Sequence, residues 1–168
     1  MRNNFYPDGH FNLGTLYLKL RNKKQEALSE FSISIAQNER HFSAWSNKVI
    51  LLDELNRLKE AQEAATKAKT IFPNKAEFYF HLGNILGKQE KYEDAEINYH
   101  QAIKLLNSEN PPKNPKIKSL YYSNLGVLYH RWKKEKEAIM HYKTAIFYDN
   151  KNANAKDNLN RLLKANQN

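Results

Sequence analysis

The sequence contains no cysteine, few glycines and prolines, and no long apolar run. With 0 Cys, neither a disulfide framework nor a cysteine-ligated zinc site can form. Only 5 Gly and 5 Pro among 168 residues leave few of the turn signals that a sheet protein needs, which favours a mostly helical fold. No stretch approaches the roughly 18 apolar residues that a bilayer-spanning helix requires. We therefore expect no membrane span in this chain.

Positive charge is in excess, but it is not concentrated in one place. The formal net charge of +9 makes nucleic acid or an anionic membrane surface a conceivable partner. A protein that reads nucleic acid usually gathers its basic residues on one face, whereas here lysine and arginine are spread along the whole chain. The better interpretation is a solvated helical surface, and we expect no nucleic-acid partner.

Small residues recur along the chain at a nearly constant interval. Four alanines are separated by 34, 34 and 43 residues, and the longer interval is the shorter one plus a Pro-rich insertion at 110–118. Further alanines and glycines keep the same frame. Small side chains at fixed spacing indicate places where helix backbones approach closely, so the pattern predicts stacked helical hairpins. The residues in this frame are Ala27, Ala61, Ala95, Ala138, Ala68, Ala102, Ala145, Gly14, Gly83 and Gly126.

A 34-residue period with these residues resembles the tetratricopeptide (TPR) repeat family. The resemblance implies an all-α fold, a right-handed solenoid of about four helical hairpins with a C-terminal capping helix, that binds another polypeptide. The predicted segments are an N-terminal extension at 1–7, repeats at 8–41, 42–75, 76–109 and 119–152, the insertion at 110–118, and a capping helix with tail at 153–168. Helices are expected near 8–20, 24–37, 42–55, 58–71, 76–88, 92–107, 116–131, 135–148 and 153–165.

The same resemblance predicts a ligand-binding groove. In TPR proteins, positions 2, 5, 6, 9, 12 and 13 of the first helix of each hairpin tend to face a concave surface. Position 6 of this chain is asparagine four times and histidine once. An asparagine amide both donates and accepts hydrogen bonds, so a row of them could bind an extended peptide backbone. Alternatively, asparagine is simply common at this position. The predicted groove residues are Asn12, Asn47, His81, Asn84, Asn124, Arg131 and Asn158.

The sequence shows no catalytic, cofactor-binding or metal-binding motif. The acidic pairs Asp53–Glu54 and Glu93–Asp94 are adjacent in sequence, so on a helix their side chains diverge by about 100° and do not converge on one site. The six histidines never recur at i, i+4, and no phosphate-binding loop occurs. We expect no catalytic residue, no cofactor and no metal in this chain.

Four stretches, residues 45–53, 86–92, 102–104 and 124–132, resemble a more specific family. They look like the C-terminal TPR region of the transmembrane and TPR-containing protein O-mannosyltransferases, nearest the fourth paralogue. In that family a membrane part transfers mannose from a dolichol-linked donor, and cadherin-type proteins are the acceptors. The resemblance implies a client-binding arm in the endoplasmic reticulum lumen, attached to a membrane enzyme. The alternative is a free-standing soluble TPR scaffold in the cytoplasm that assembles other proteins.

Overall fold

The computed structural model describes residues 6–20, 23–108 and 114–165. Within these ranges the regular structure consists of nine helices and no strand, which confirms the all-α prediction. The helices are α1 (Pro7–Lys19), α2 (Lys24–Gln37), α3 (Phe42–Glu54), α4 (Leu58–Ile71), α5 (Ala76–Lys88), α6 (Tyr92–Ser108), α7 (Pro115–Arg131), α8 (Glu135–Tyr148) and α9 (Ala153–Ala165).

The helix boundaries differ from the predicted ones by one residue at most. Both α1 and α7 begin one residue earlier than expected, at Pro7 and Pro115. Proline suits the first helical position because its φ is already helical and its missing N–H would have no partner there. The end of the predicted insertion, residues 115–118, is therefore helical. Residues 110–113 of that insertion, and residues 1–5 of the predicted extension, lie outside the described ranges.

Three hairpin turns repeat the same backbone geometry. Asn56, Glu90 and Lys133 adopt left-handed φ values of 56°, 61° and 62°, and they follow one another at intervals of 34 and 43 residues. In each turn the next backbone N–H donates to a carbonyl five residues earlier, at 2.9–3.0 Å. This hydrogen bond defines the Schellman motif, which ends a helix by satisfying its free carbonyls. The repeat is thus present in the backbone as well as in the composition.

The alanines that set the repeat frame lie where helices touch. Ala27, Ala61, Ala95 and Ala138 each have 0% of their surface exposed. A larger side chain at such a position would have to displace a neighbouring helix or adopt a strained rotamer, because protein cores are close-packed. Their burial explains why only a small residue recurs there.

The repeated glycines face large aromatic rings across each hairpin. A Cβ atom added to Gly83 would lie 3.0 Å from the Tyr99 ring, and one added to Gly126 would lie 2.7 Å from the Tyr142 ring. The second hairpin reverses this arrangement, because Val49 stands at the glycine register and an alanine stands at the tyrosine register. Both Val49 and that alanine, Ala65, are fully buried. Either order of large and small residues therefore closes the hairpin.

The chain divides into two compact units after Pro73. The first unit contains α1 to α4, in which α2 packs against both α1 and α3, and α3 packs against α4. The second unit contains the hairpins α5–α6 and α7–α8, and α9 packs against both α7 and α8. Within each unit, helices contact their neighbours in chain order, as in a stack of hairpins.

Candidate functional site

The last helix, α9, is fixed to the preceding hairpin by a partly buried hydrogen-bond network. The Asn152 side chain accepts from the Ala155 backbone N–H at 3.0 Å, and its Nδ2 donates to Ser119 Oγ at 2.9 Å. Ser119, which is 1% exposed, donates in turn to the Ala145 carbonyl at 2.7 Å. Asn152 thus caps the N-terminus of α9 and ties it to α7, while Ser119 connects α7 to α8.

An open cavity of about 270 Å³ lies between α7 and α9. With position 1 placed at Ser119 and at Ala153, its lining residues occupy positions 2, 5, 6 and 9 of both helices, and Asn152 completes the wall. These are positions expected to face the concave surface in TPR hairpins. The lining residues are Leu120, Ser123, Asn124, Val127, Asn152, Asn154, Asp157, Asn158 and Arg161.

The cavity combines amide groups with one charge of each sign. Asparagine supplies four of the nine lining residues, and each amide can both donate and accept. Asp157 and Arg161 lie one turn apart on α9, yet neither forms an ion pair with another described residue. Leu120, which is 48% exposed, and Val127 add an apolar strip. This surface can hydrogen-bond a peptide group while an apolar side chain packs beside it.

Two of the predicted groove residues, Asn124 and Asn158, line this cavity together. Asn84 does not, because its Oδ1 accepts a hydrogen bond from the Tyr99 hydroxyl and so joins α5 to α6. His81 points its Nε2 to within 3.7 Å of a carboxylate oxygen of Glu77, one turn earlier on α5.

The other predicted groove residues lie elsewhere. Arg131 is the exposed last residue of α7 and is not among the residues that line the cavity. Asn12 is exposed on α1, and Asn47 is partly buried on α3, both in the first unit. The assignment of these positions to a groove stays a prediction.

Sequence reasoning missed Asn154, Asp157 and Arg161, which contribute most of the α9 side of the cavity. The segment was expected to act as a cap with a polar outer face. A signal was nevertheless present, because numbering α9 as the first helix of a further repeat puts these residues at positions 2, 5 and 9. The capping helix therefore also serves as a wall of the site.

Two family models described as tetratricopeptide repeat match the chain, at residues 76–108 and 120–152. The first match spans the hairpin α5–α6, and the second covers most of α7 and all of α8. The repeat identified by its backbone geometry is thus also recognised by its sequence.

Several solved structures have the same fold. PilF of Pseudomonas aeruginosa aligns with a TM-score of 0.79 and 19% identity, over 96% of this chain and 69% of that one. YrrB, described as a TPR protein with an unusual peptide-binding site, aligns with a TM-score of 0.73 and 16% identity, over 92% of this chain and 75% of YrrB. MamA of Desulfovibrio magneticus aligns with a TM-score of 0.72 and 20% identity, over 89% of this chain and 79% of MamA. The fold, the repeat geometry and the family-model matches together define a TPR protein.

The chain is a tetratricopeptide repeat protein, and its sequence is similar to parts of two much longer proteins. A protein O-mannosyl-transferase of Caenorhabditis elegans is 30% identical over 117 residues, which cover 70% of this chain and 16% of the relative. A DnaJ homolog subfamily C member 7 homolog of Dictyostelium discoideum is 40% identical over 94 residues, covering 49% and 17%. The chain therefore spans about a sixth of the length of each relative.

None of the described helices is long and apolar enough to cross a bilayer. This finding concerns residues 6–20, 23–108 and 114–165 only.

Proposed function

We propose that this TPR protein, a protein-interaction scaffold by its fold, binds an extended polypeptide segment in the cavity between α7 and α9. The observation that carries the proposal is the convergence of Asn124 and Asn158 on one open cavity beside Arg161. An asparagine amide offers the same donor and acceptor as a peptide group, so a pair of them can bind a main chain directly.

Binding through main-chain hydrogen bonds should accept many different client sequences. Hydrogen bonds to the main chain do not depend on the client's side chains, and Leu120 and Val127 offer apolar contact without a deep, shape-selective pocket. Arg161 adds one preference, for an acidic or polar client group near its guanidinium. We therefore expect a class of extended segments as clients rather than one unique sequence.

We further infer that the chain is the client-binding arm of an O-mannosyltransferase in the lumen of the endoplasmic reticulum. The similarity to the O-mannosyl-transferase of C. elegans over 70% of this chain supports this inference. The arm would hold a cadherin-type acceptor, while a membrane part elsewhere in the parent protein transfers mannose from a dolichol-linked donor. In this account the chain contributes binding and no catalytic residue.

The binding proposal can be tested with a synthetic peptide that copies one extended strand of a cadherin domain. Its affinity for the wild-type chain is compared, by isothermal calorimetry, with that for Asn124→Ala/Asn158→Ala. Loss of two main-chain hydrogen bonds should weaken binding about tenfold. Asn160→Ala is the matched control, since Asn160 is exposed on α9 but does not line the cavity. Equal affinities for the double variant and the wild type would refute the proposal.

The second candidate function is a free-standing TPR scaffold in the cytoplasm. The observation in its favour is that the second relative, 40% identical over 94 residues, is named as a DnaJ homologue and not as a transferase. Protease protection in microsomes separates the two, with an epitope tag placed after α9 in the full gene product. A lumenal arm is resistant until detergent opens the vesicles. Digestion of the tag in sealed vesicles, or its recovery in the soluble fraction, would exclude the lumenal assignment.

A further inference from the structure

A second and larger cavity, of about 620 Å³, lies within the first unit among α2, α3 and α4. Its α3 wall consists of Trp45, Lys48 and Leu52, which are positions 4, 7 and 11 of that helix. The groove positions are different ones, so this cavity is separate from the surface on which Asn47 was predicted to act. The other lining residues are Ser32, Ile35, Ala36, Glu39, Glu60, Glu63, Ala64 and Lys67.

Lys48 occupies a register that holds leucine in the later hairpins. The equivalent residues are Leu82 and Leu125, at intervals of 34 and 43 residues, and they are only 4% and 0% exposed. Lys48 is itself about half-buried, and burial lowers the pKa of its ammonium group. A charged residue at an otherwise apolar packing position loses hydration and needs a compensating interaction.

The floor of the cavity is aromatic and aliphatic. Trp45 is 4% exposed, and its indole N–H donates to the Glu39 carbonyl at 2.8 Å, which fixes the ring. The Nζ atoms of Lys48 and Lys67 lie 5.9 and 5.7 Å from the centroid of this ring. Ile35 adds an aliphatic wall. The cavity thus offers apolar contact directly beside an ammonium group.

The charged residues around Lys48 are mostly engaged with one another. Lys67 Nζ is 3.1 Å from a carboxylate oxygen of Glu39, and Glu60 binds the Arg57 guanidinium at 2.6 Å. Lys48 itself makes no ion pair with any residue in the part of the chain that the structure describes. The charge of Glu60 partly offsets the lowering of the pKa of Lys48, but the Glu60 carboxylate is bound to Arg57 and forms no ion pair with Lys48.

We propose that this cavity binds the C-terminal residue of a polypeptide that ends in a large apolar side chain. The terminal carboxylate pairs with Lys48 Nζ, and the side chain packs on Trp45 and Ile35. A strongly acidic tail fits less well, because Glu63 on the rim forms no ion pair with another described residue and would repel further negative charge. One carboxylate joined to one apolar group matches both the Lys48 ammonium, which has no ion pair, and the apolar floor, while Lys67 is already paired with Glu39.

The test uses two small probes that differ in one group, N-acetyl-glycyl-phenylalanine and its C-terminal amide. Trp132→Phe leaves Trp45 as the only indole, since the chain has 2 Trp, so Trp45 fluorescence and its indole NMR signal report binding. Lys48→Leu is the matched variant, because leucine is the residue that this register holds in other hairpins. We expect the free acid to bind, and both the amide probe and Lys48→Leu to weaken binding about tenfold.

Lys59→Leu serves as the control for loss of charge. Lys59 is exposed on α4 and does not line the cavity, so this variant should bind the acid like wild type. Equal binding of acid and amide, or full binding by Lys48→Leu, would overturn the proposal. So would an absence of any Trp45 response up to the solubility limit of the acid. NMR signal changes confined to Asn124 and Arg161 would also overturn it, and would assign carboxylate binding to the cavity between α7 and α9.

Discussion

The second hairpin, α3–α4, and the fourth, α7–α8, solve the same packing problem in opposite ways. In the fourth, Gly126 gives room to the fully buried Tyr142 ring. In the second, Val49 takes the place of the glycine, and Ala65 takes the place of the tyrosine. Both hairpins nevertheless end their first helix with the same left-handed turn. The comparison indicates that a hairpin requires a combined volume across its helix contact, not a particular residue on either side.

The same two hairpins differ in how completely they are filled. Leu125 is fully buried in α7, whereas Lys48 at the equivalent register borders a cavity of about 620 Å³. Both family-model matches fall on the third and fourth hairpins, where the glycine and tyrosine registers are kept. The second hairpin therefore contains both the altered packing pair, Val49 and Ala65, and a wall of the proposed binding cavity.

The largest effect on stability is expected from placing valine, the residue of the second hairpin at this register, at Gly126 of the fourth hairpin. In Gly126→Val the new Cβ would meet the Tyr142 ring at 2.7 Å, and the branched side chain would add further overlap. The free energy of unfolding, measured by urea titration with Trp132 fluorescence, should fall by about 1–3 kcal/mol or more. Lys143→Val, on the exposed face of α8, controls for the helix propensity of valine. This variant should change the free energy of unfolding by about 0.5 kcal/mol or less.

A smaller effect on stability is expected from pH, through one buried histidine of the second unit. Burial lowers the pKa of His141, which is 6% exposed and stacks against Tyr122 and Tyr129, to about 4. The unfolded chain, with a pKa near 6.5, binds this proton first. The stabilisation is therefore complete above pH 6.5 and is lost as the pH falls towards 4, by roughly 2 kcal/mol at pH 5.

His141→Phe removes the titrating group and keeps an aromatic ring in the stack. Urea titrations of this variant and the wild type at pH 7 and pH 5 should show a smaller loss of stability in the variant. An unchanged loss would mean that other groups account for the pH dependence. His130 is the control site, since it is exposed on α7 and is not among the groups whose charge shifts the pKa of His141.

The smallest effect on stability is expected from removing the hydroxyl groups of two tyrosines that occupy the same register, Tyr99 and Tyr142. The Tyr142 hydroxyl is buried without a hydrogen-bond partner, whereas the Tyr99 hydroxyl donates to Asn84. Tyr142→Phe should therefore leave stability unchanged or raise it, and Tyr99→Phe should lower it by about 1 kcal/mol. Phe31 holds this register in the first hairpin, which indicates that the ring alone is sufficient. Equal losses in both variants, measured by urea titration, would contradict this reading.

Much of the helical architecture could be predicted because small residues report backbone contact directly. Ala61 and Ala95 are buried as expected. The start of α7 was expected at residue 116, and Pro115, which was assigned to the insertion, is its first residue. The turn conformations were harder to predict from the sequence, because Glu90 and Lys133 adopt the left-handed conformation that glycine usually adopts at such positions. Nothing in their residue type signals that geometry.

The candidate sites were only partly predictable. Asn124 and Asn158 followed from the repeat register, but Arg161 did not, since α9 was interpreted as a cap. Lys48 carries no sign of burial in its own residue type, because lysine is usually exposed. Its burial depends on the packing of α2 and α4, the helices before and after α3 in the chain, which its residue type does not reveal.

The most direct test of the packing account combines Gly126→Val with Tyr142→Ala, which rebuilds the second hairpin's residue pair in the fourth. Unfolding free energies are measured for the wild type, both single variants and the double variant. If volume across the contact is what matters, the double variant will be more stable than the sum of the two single losses predicts, by about 0.5–3 kcal/mol. Strictly additive losses would contradict the account.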